Sequence, residues 1–162
     1  MKFSLIIAGL FTLVSVAQAS VIQEQEPNND INTAQHIPVA AFTLGYNPII
    51  ANSDTIPWVT IEGTGDGTHD FYSFLVPNSG MIASFFDIDD TNRGKRFDSF
   101  LTLYDPNGNY LTHQDDVDDT QDDVGDISQD PGSNTRVDSY MTYTFNTPGT
   151  YTIAHSFERQ RA

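Results

Sequence analysis

The stretch Phe100-Leu101-Thr102-Leu103-Tyr104-Asp105-Pro106-Asn107-Gly108-Asn109-Tyr110-Leu111-Thr112 has the pattern of a β-hairpin and decides the fold class. Leu101 and Leu103 are two residues apart, and residues at this spacing lie on one face of a strand. Asp105-Pro106-Asn107-Gly108 is a strong turn, because proline suits its second position and glycine its left-handed one. The sequence therefore predicts two strands joined by a tight turn.

Similar strand signals occur on both sides of this hairpin. They are short, rich in aromatic residues and bounded by turn residues: Trp58–Ile61, Phe71–Val76, Met81–Ile88, Tyr140–Phe145 and Thr150–Ala154. Beyond the N-terminal segment, no run of residues shows a sustained helical period. Several short strands without intervening helices predict an all-β fold, an antiparallel β-sandwich.

Residues 1–19 have the features of a secretory signal peptide. Lys2 supplies the positive start, residues 5–14 are apolar, and Ala17-Gln18-Ala19 is a small-x-small cleavage motif. The alternative is an uncleaved N-terminal anchor. We expect cleavage near Ala19-Ser20, a secreted or periplasmic protein, and a single mature domain over residues 20–162 with no membrane span.

The charge of the chain narrows its partners. Its 22 acidic residues outweigh seven lysines and arginines, which gives a net charge of −15. Nucleic acid and anionic membrane surfaces should therefore repel it. With no cysteine, disulfides are excluded and a structural zinc site is not expected. Clustered carboxylates repel one another unless a cation lies among them, so calcium is the expected partner.

A first candidate calcium site combines two acidic segments: Glu24, Glu26, Asn28, Asp30, Asp66 and Asp70. The first four residues alternate along the chain, and alternate residues of an extended segment point the same way. The last two flank a glycine-rich turn that allows backbone carbonyls to approach an ion. The alternative interpretation is a solvated acidic segment beside an asparagine-rich turn.

A second candidate site gathers carboxylates from strand ends and from the segment after the hairpin: Asp87, Asp89, Asp98, Asp115 and Asp116. The hairpin would have to bring the last two near the others. The alternative is a set of ordinary charged strand ends and a solubilising loop. The acids from Asp118 to Asp130 more often form a solvated run.

Four motifs in order resemble the bacterial pre-peptidase C-terminal domain: Glu24–Asp30 followed by Thr33-Ala34-Gln35, Gly65–Phe74, Asp98–Gly108 followed by Asp115-Asp116, and Gly149–Ile153. The resemblance covers most of residues 22–155. It implies a secreted, non-catalytic, jelly-roll-like sandwich of the kind that accompanies secreted proteases. In collagenases, related domains bind calcium and collagen, and some members of the family stand alone.

Two features depart from that family pattern. The chain ends at residues 156–162, where similar domains often continue into one more strand, so we expect a sheet that lacks its last strand. In the collagenase-like pattern an acidic ligand directly follows Asn28, whereas this chain has Asn29 there and Asp30 one position later.

The sequence favours a calcium-binding module without catalytic activity. It lacks the Gly-x-Ser-x-Gly nucleophile motif, and among so many acids the carboxylate pairs that a glycosidase needs arise by chance. The main alternative is a module that binds an extracellular protein or polysaccharide, such as collagen, with calcium incidental. Its platform would come from the aromatic residues Tyr46, Trp58, Tyr72, Tyr104, Tyr110, Tyr140, Tyr143 and Tyr151.

Overall fold

The computed structural model describes residues 2–9, 21–50, 52–77, 82–90, 99–115 and 139–157. In these ranges two five-stranded sheets form. Sheet A has the order β2 (Val21–Gln23), β4 (Trp58–Thr64), β1 (Lys2–Gly9), β6 (Ile82–Asp90) and β9 (Tyr140–Phe145). Sheet B has the order β3 (Gln35–Ile37), β5 (Asp70–Val76), β10 (Gly149–Phe157), β7 (Ser99–Tyr104) and β8 (Tyr110–Gln114).

The two sheets pack face to face around one core. Phe74 of sheet B lies at the centre, with its ring 5.6 Å from that of Phe86 and 5.8 Å from that of Phe145, both in sheet A. Leu101 and Leu103 are fully buried in the same core, as their spacing predicts. The predicted all-β sandwich is therefore confirmed.

Between the described strands, six pairs are antiparallel and one pair in each sheet is parallel, so the sheets are mixed. β2 pairs in parallel with β4, and β3 pairs in parallel with β5. Both short strands are edge strands, and the segment between them crosses from one sheet to the other. β2 and β3 are joined by this crossing segment and not by a tight turn. The sequence therefore has no hairpin motif from which their parallel pairing could be predicted.

The predicted hairpin turn is present. The Gly108 amide donates to the Asp105 carbonyl at 2.9 Å, and Gly108 has a φ of 80°. This left-handed conformation explains the glycine, since other residues adopt it only with strain. A bulge between Leu103 and Tyr104 adjusts the register of β7 and β8 at the turn.

β1 lies inside the segment that the sequence predicts to be a leader. It occupies the centre of sheet A, where it pairs with β4 on one side and β6 on the other. The cleavage motif Ala17-Gln18-Ala19 is outside the described residues. Within the ranges given above, no helix is long and apolar enough to cross a bilayer.

Candidate functional site

The first predicted site lies at the end of the sandwich where the chain crosses between the sheets. After β2, the Glu24 amide still donates to the Glu62 carbonyl of sheet A at 2.9 Å. Four residues later, the Asn28 carbonyl accepts a hydrogen bond of 2.9 Å from the Phe71 amide of sheet B. The acidic segment is therefore attached to both sheets, directly beside the first residue of β5, Asp70.

Three carboxylates meet at this crossing. One oxygen from each of Glu24, Glu26 and Asp70 lies within 4.8 Å of the other two. Glu26 is exposed, Glu24 is partly buried, and only 1% of Asp70 is accessible to solvent. The three carboxylates therefore form an acidic group in which Asp70 is the most buried member.

Asn28 lies beside these carboxylates with an unsatisfied side chain. The residue is completely buried, and neither its Oδ1 nor its Nδ2 has a hydrogen-bond partner among the described residues. Its backbone N–H donates to Glu26 Oε2 at 3.0 Å. Buried polar atoms are normally paired, so the side-chain amide is available to a ligand.

The Asp70 carboxylate also has a buried oxygen without a hydrogen-bond partner among the described residues. Its Oδ1 is buried with no hydrogen-bond partner in the part of the chain that the structure describes, and its Oδ2 lies 3.4 Å from His155 Nδ1. Burial, reinforced by the charges of Glu26 and Asp66, raises the pKa of Asp70 to about 7. Burial also lowers the pKa of His155 to about 3, which favours the neutral imidazole.

Tyr72 fixes the third carboxylate. Its buried hydroxyl donates to Glu24 Oε1 at 2.5 Å, and the Thr64 amide donates to Glu24 Oε2 at 3.0 Å. Burial first, and then the Glu24 carboxylate, raises the pKa of Tyr72. The hydroxyl therefore stays protonated and holds Glu24 beside Asp70.

Two residues predicted for this site have other partners. The Asp30 Oδ1 accepts from the amides of Asn32 and Thr33, at 2.7 and 3.1 Å. The Asp66 Oδ1 accepts from the amide and hydroxyl of Thr68, which lowers the pKa of this exposed carboxyl. Each carboxylate stabilises its own turn, and neither belongs to the group formed by Glu24, Glu26 and Asp70.

The second predicted site falls largely on residues that the structure does not describe. Asp98 and Asp116 are outside the described ranges, as is the acidic run from Asp118 to Asp130. For Asp87 and Asp89, the structure describes the backbone, which belongs to β6, but not the side chains. Asp115 is exposed, and its carbonyl accepts a hydrogen bond from the Ser139 hydroxyl.

Two residues of the first site were not predicted from the sequence, Tyr72 and His155. Tyr72 fits the alternating core pattern of β5, and only its contact with Glu24 gives it a role at the site. His155 reaches Asp70 because β10 and β5 pair in register at these two positions. Asp70 and His155 are 85 residues apart in the sequence, so no local sequence pattern could predict their contact.

The aromatic residues of the alternative platform are divided between core and surface. Trp58, Tyr72 and Tyr151 are buried, whereas 80% of Tyr46 and 56% of Tyr110 are exposed. The exposed Tyr110 belongs to a row on sheet B, in which His113 stacks on Phe100 with ring centroids 5.2 Å apart.

The chain was compared with protein families and with characterised proteins. No family model matches the chain, and no curated protein matches it. The function must therefore be argued from the site itself.

Proposed function

We propose that the chain is an exported, non-catalytic β-sandwich that binds calcium at Glu24, Glu26, Asn28 and Asp70. The observation that carries the proposal is the meeting of three carboxylates beside a buried, unpaired asparagine amide. An acidic group alone has a simpler explanation as solvated surface. The Asn28 side-chain amide and the Asp70 Oδ1 are not solvated, because both are buried. Burying such groups without hydrogen-bond partners costs free energy.

The chemistry of the donors favours calcium among the common cations. All four side chains present oxygen, which hard cations prefer to nitrogen or sulfur. Calcium takes six to eight oxygen ligands in irregular arrangements, and carboxylates can each supply two. Magnesium requires a nearly ideal octahedron and keeps its waters, so an irregular site of protein oxygens suits it less.

The role of the ion would be structural. A cation bound only by the folded chain stabilises it through linkage, by about 2.7 kcal/mol when its concentration is a hundred times its Kd. At this site the ion would also neutralise the like charges of Glu24, Glu26 and Asp70. It would fix the crossing segment against both sheets, since Glu24 is attached to sheet A and Asn28 to sheet B.

Export by residues 1–19 and kinship with the pre-peptidase C-terminal domains belong to the same proposal. Both rest on the residues quoted for them in the sequence. A calcium-dependent fold suits an extracellular setting, where a chain without cysteine has no disulfide to stabilise it.

Calcium titration of two matched variants tests the proposal. Glu26→Gln removes an exposed ligand and should leave the fold intact, and calorimetry should find one calcium equivalent fewer than in the wild type. Asp30→Asn removes a nearby carboxylate that only stabilises its own turn, and should keep the wild-type number. Equal binding by the wild type and Glu26→Gln would contradict the proposal.

A second candidate function, binding of an extracellular polymer, is favoured by the aromatic row of sheet B. Phe100, His113 and Tyr110 form a partly exposed surface, which stacking sugars or collagen side chains could use. Co-sedimentation with insoluble collagen or polysaccharide should be weakened by Tyr110→Ala. Tyr46→Ala is the control, because Tyr46 is exposed in a loop that precedes β4 of the other sheet.

A further inference from the structure

The strand β1 lies between two strands that do not pair with each other, β4 and β6. β1 is antiparallel to β4 from Lys2 to Ala8, and antiparallel to β6 from Phe3 to Gly9. β4 and β6 are therefore parallel, and they are separated by two strand spacings, about 10 Å. Without β1, their backbone groups facing the gap would have no partner within reach.

Both faces of the gap select an apolar strand. Leu5 and Ile7 enter the core between the sheets, while Ile6 and Ala8 pack on the other face in a cluster with Trp58. Each of the four β1 side chains is at most 1% exposed. Strands covered on both faces have continuous apolar sequences, whereas half-exposed strands alternate apolar and polar residues. The gap therefore requires a run of consecutive apolar residues.

The same run is the beginning of the apolar stretch in the predicted leader. We propose that the space between β4 and β6 is a binding site for an apolar β-strand, and that its ligand is the chain's own segment Lys2–Gly9. The segment would then have a structural role in addition to its role in export. Cutting the chain after Ala19 would convert it from an internal strand into a bound peptide.

The proposal is tested by cutting the folded full-length chain. A protease recognition sequence is inserted after Ala19, and the purified protein is cleaved. The N-terminal fragment should co-elute with residues 20–162 in size-exclusion chromatography, with mass spectrometry identifying both. Removing the fragment in denaturant should lower the Tm or cause aggregation, and a synthetic peptide of residues 2–9 should reverse either effect. A stripped body with the Tm of the intact chain, or one that the peptide does not restore, would overturn the proposal.

Two matched variants of the uncut chain give an independent test. Ile7 lies in β1 and is 1% exposed, whereas Ile49 is 52% exposed. Ile7→Ala should lower the Tm by about 5 to 15 °C, from the usual effect of emptying a core position, and Ile49→Ala should change it much less. If Ile7→Ala fails to fold, Ile7→Val against Ile49→Val makes the same comparison with a milder change. Equal effects at both positions would overturn the proposal.

Discussion

The substitution Asp70→Asn should stabilise the chain in EDTA and remove most of the stabilisation that calcium gives to the wild type. Asp70 has a pKa of about 7 in the folded chain against 3.8 for the unperturbed group, because it is buried beside Glu26 and Asp66. Ionising it in the folded state without a cation therefore costs up to about 4 kcal/mol. A neutral amide of the same shape avoids this cost. In EDTA at pH 8, Asp70→Asn should raise the Tm, at about 2 to 4 °C per kcal/mol for a chain of this length.

Calcium should narrow the difference in Tm between the two proteins. At a calcium concentration a hundred times the Kd, the wild type gains about 2.7 kcal/mol, whereas the variant lacks the central ligand and gains little. Thermal melts followed by circular dichroism in EDTA and in calcium measure both effects. Asp30→Asn serves as the control and should keep the wild-type calcium increment. A lower Tm for Asp70→Asn in EDTA, together with an unchanged calcium increment, would refute this reasoning.

Three further predictions use the same melts. The Asp70 carboxyl loses its proton near pH 3.8 in the unfolded chain and near pH 7 in the folded chain. In EDTA, the stability of the wild type relative to Asp70→Asn should therefore fall as the pH rises from about 4 to 8. A stability difference that stays constant with pH would contradict the raised pKa of Asp70. Tyr72→Phe removes the hydroxyl that donates to Glu24 and should cost about 1.5 to 3 kcal/mol, measured by urea denaturation, and an unchanged midpoint would refute the bond. Gly149→Ala should lower the Tm more than Gly67→Ala. Both residues have a positive φ, but only at Gly149 would the added Cβ lie 2.4 Å from a ring carbon of Pro106. Equal losses of Tm would contradict the close contact between Gly149 and Pro106.

The fold could be predicted where the pattern is local. The hairpin around Asp105–Gly108 and the strands at Phe71–Val76 and Tyr140–Phe145 combine alternating side chains with turn residues, and the structure has strands at each position. β2 and β3 have only three residues each, and their formation depends on the longer strands beside them. No pattern of period two can be recognised in so short a segment.

β1 shows why one apolar run supports two interpretations. Leu5-Ile6-Ile7-Ala8 is too uniform to indicate a face, and the same residues suit a leader or a strand buried on both sides. Lys2 before the apolar run favours the leader, while the register with β4 and β6 depends on residues 50 to 87 positions away. Sequence alone could not reveal that second role.

The candidate site could be predicted in part. Alternation placed Glu24, Glu26 and Asn28 on one side of an extended segment, and the structure brings the two glutamates to Asp70. The same alternation also included Asp30, whose carboxylate accepts hydrogen bonds within its own turn and lies outside the group of Glu24, Glu26 and Asp70. The sequence Asp30-Ile31-Asn32-Thr33 could have indicated this turn. Aspartate commonly accepts hydrogen bonds from the backbone amides two and three residues later, here those of Asn32 and Thr33.

A crystal structure determined in millimolar CaCl₂ would show directly whether the acidic group binds calcium. We expect an ion with its ligand oxygens at about 2.3 to 2.6 Å, among them carboxylate oxygens of Glu24, Glu26 and Asp70 and the Oδ1 of Asn28. Anomalous scattering would identify the ion as calcium. A well-ordered map with water or no density between these side chains, at millimolar calcium, would contradict calcium binding at this site.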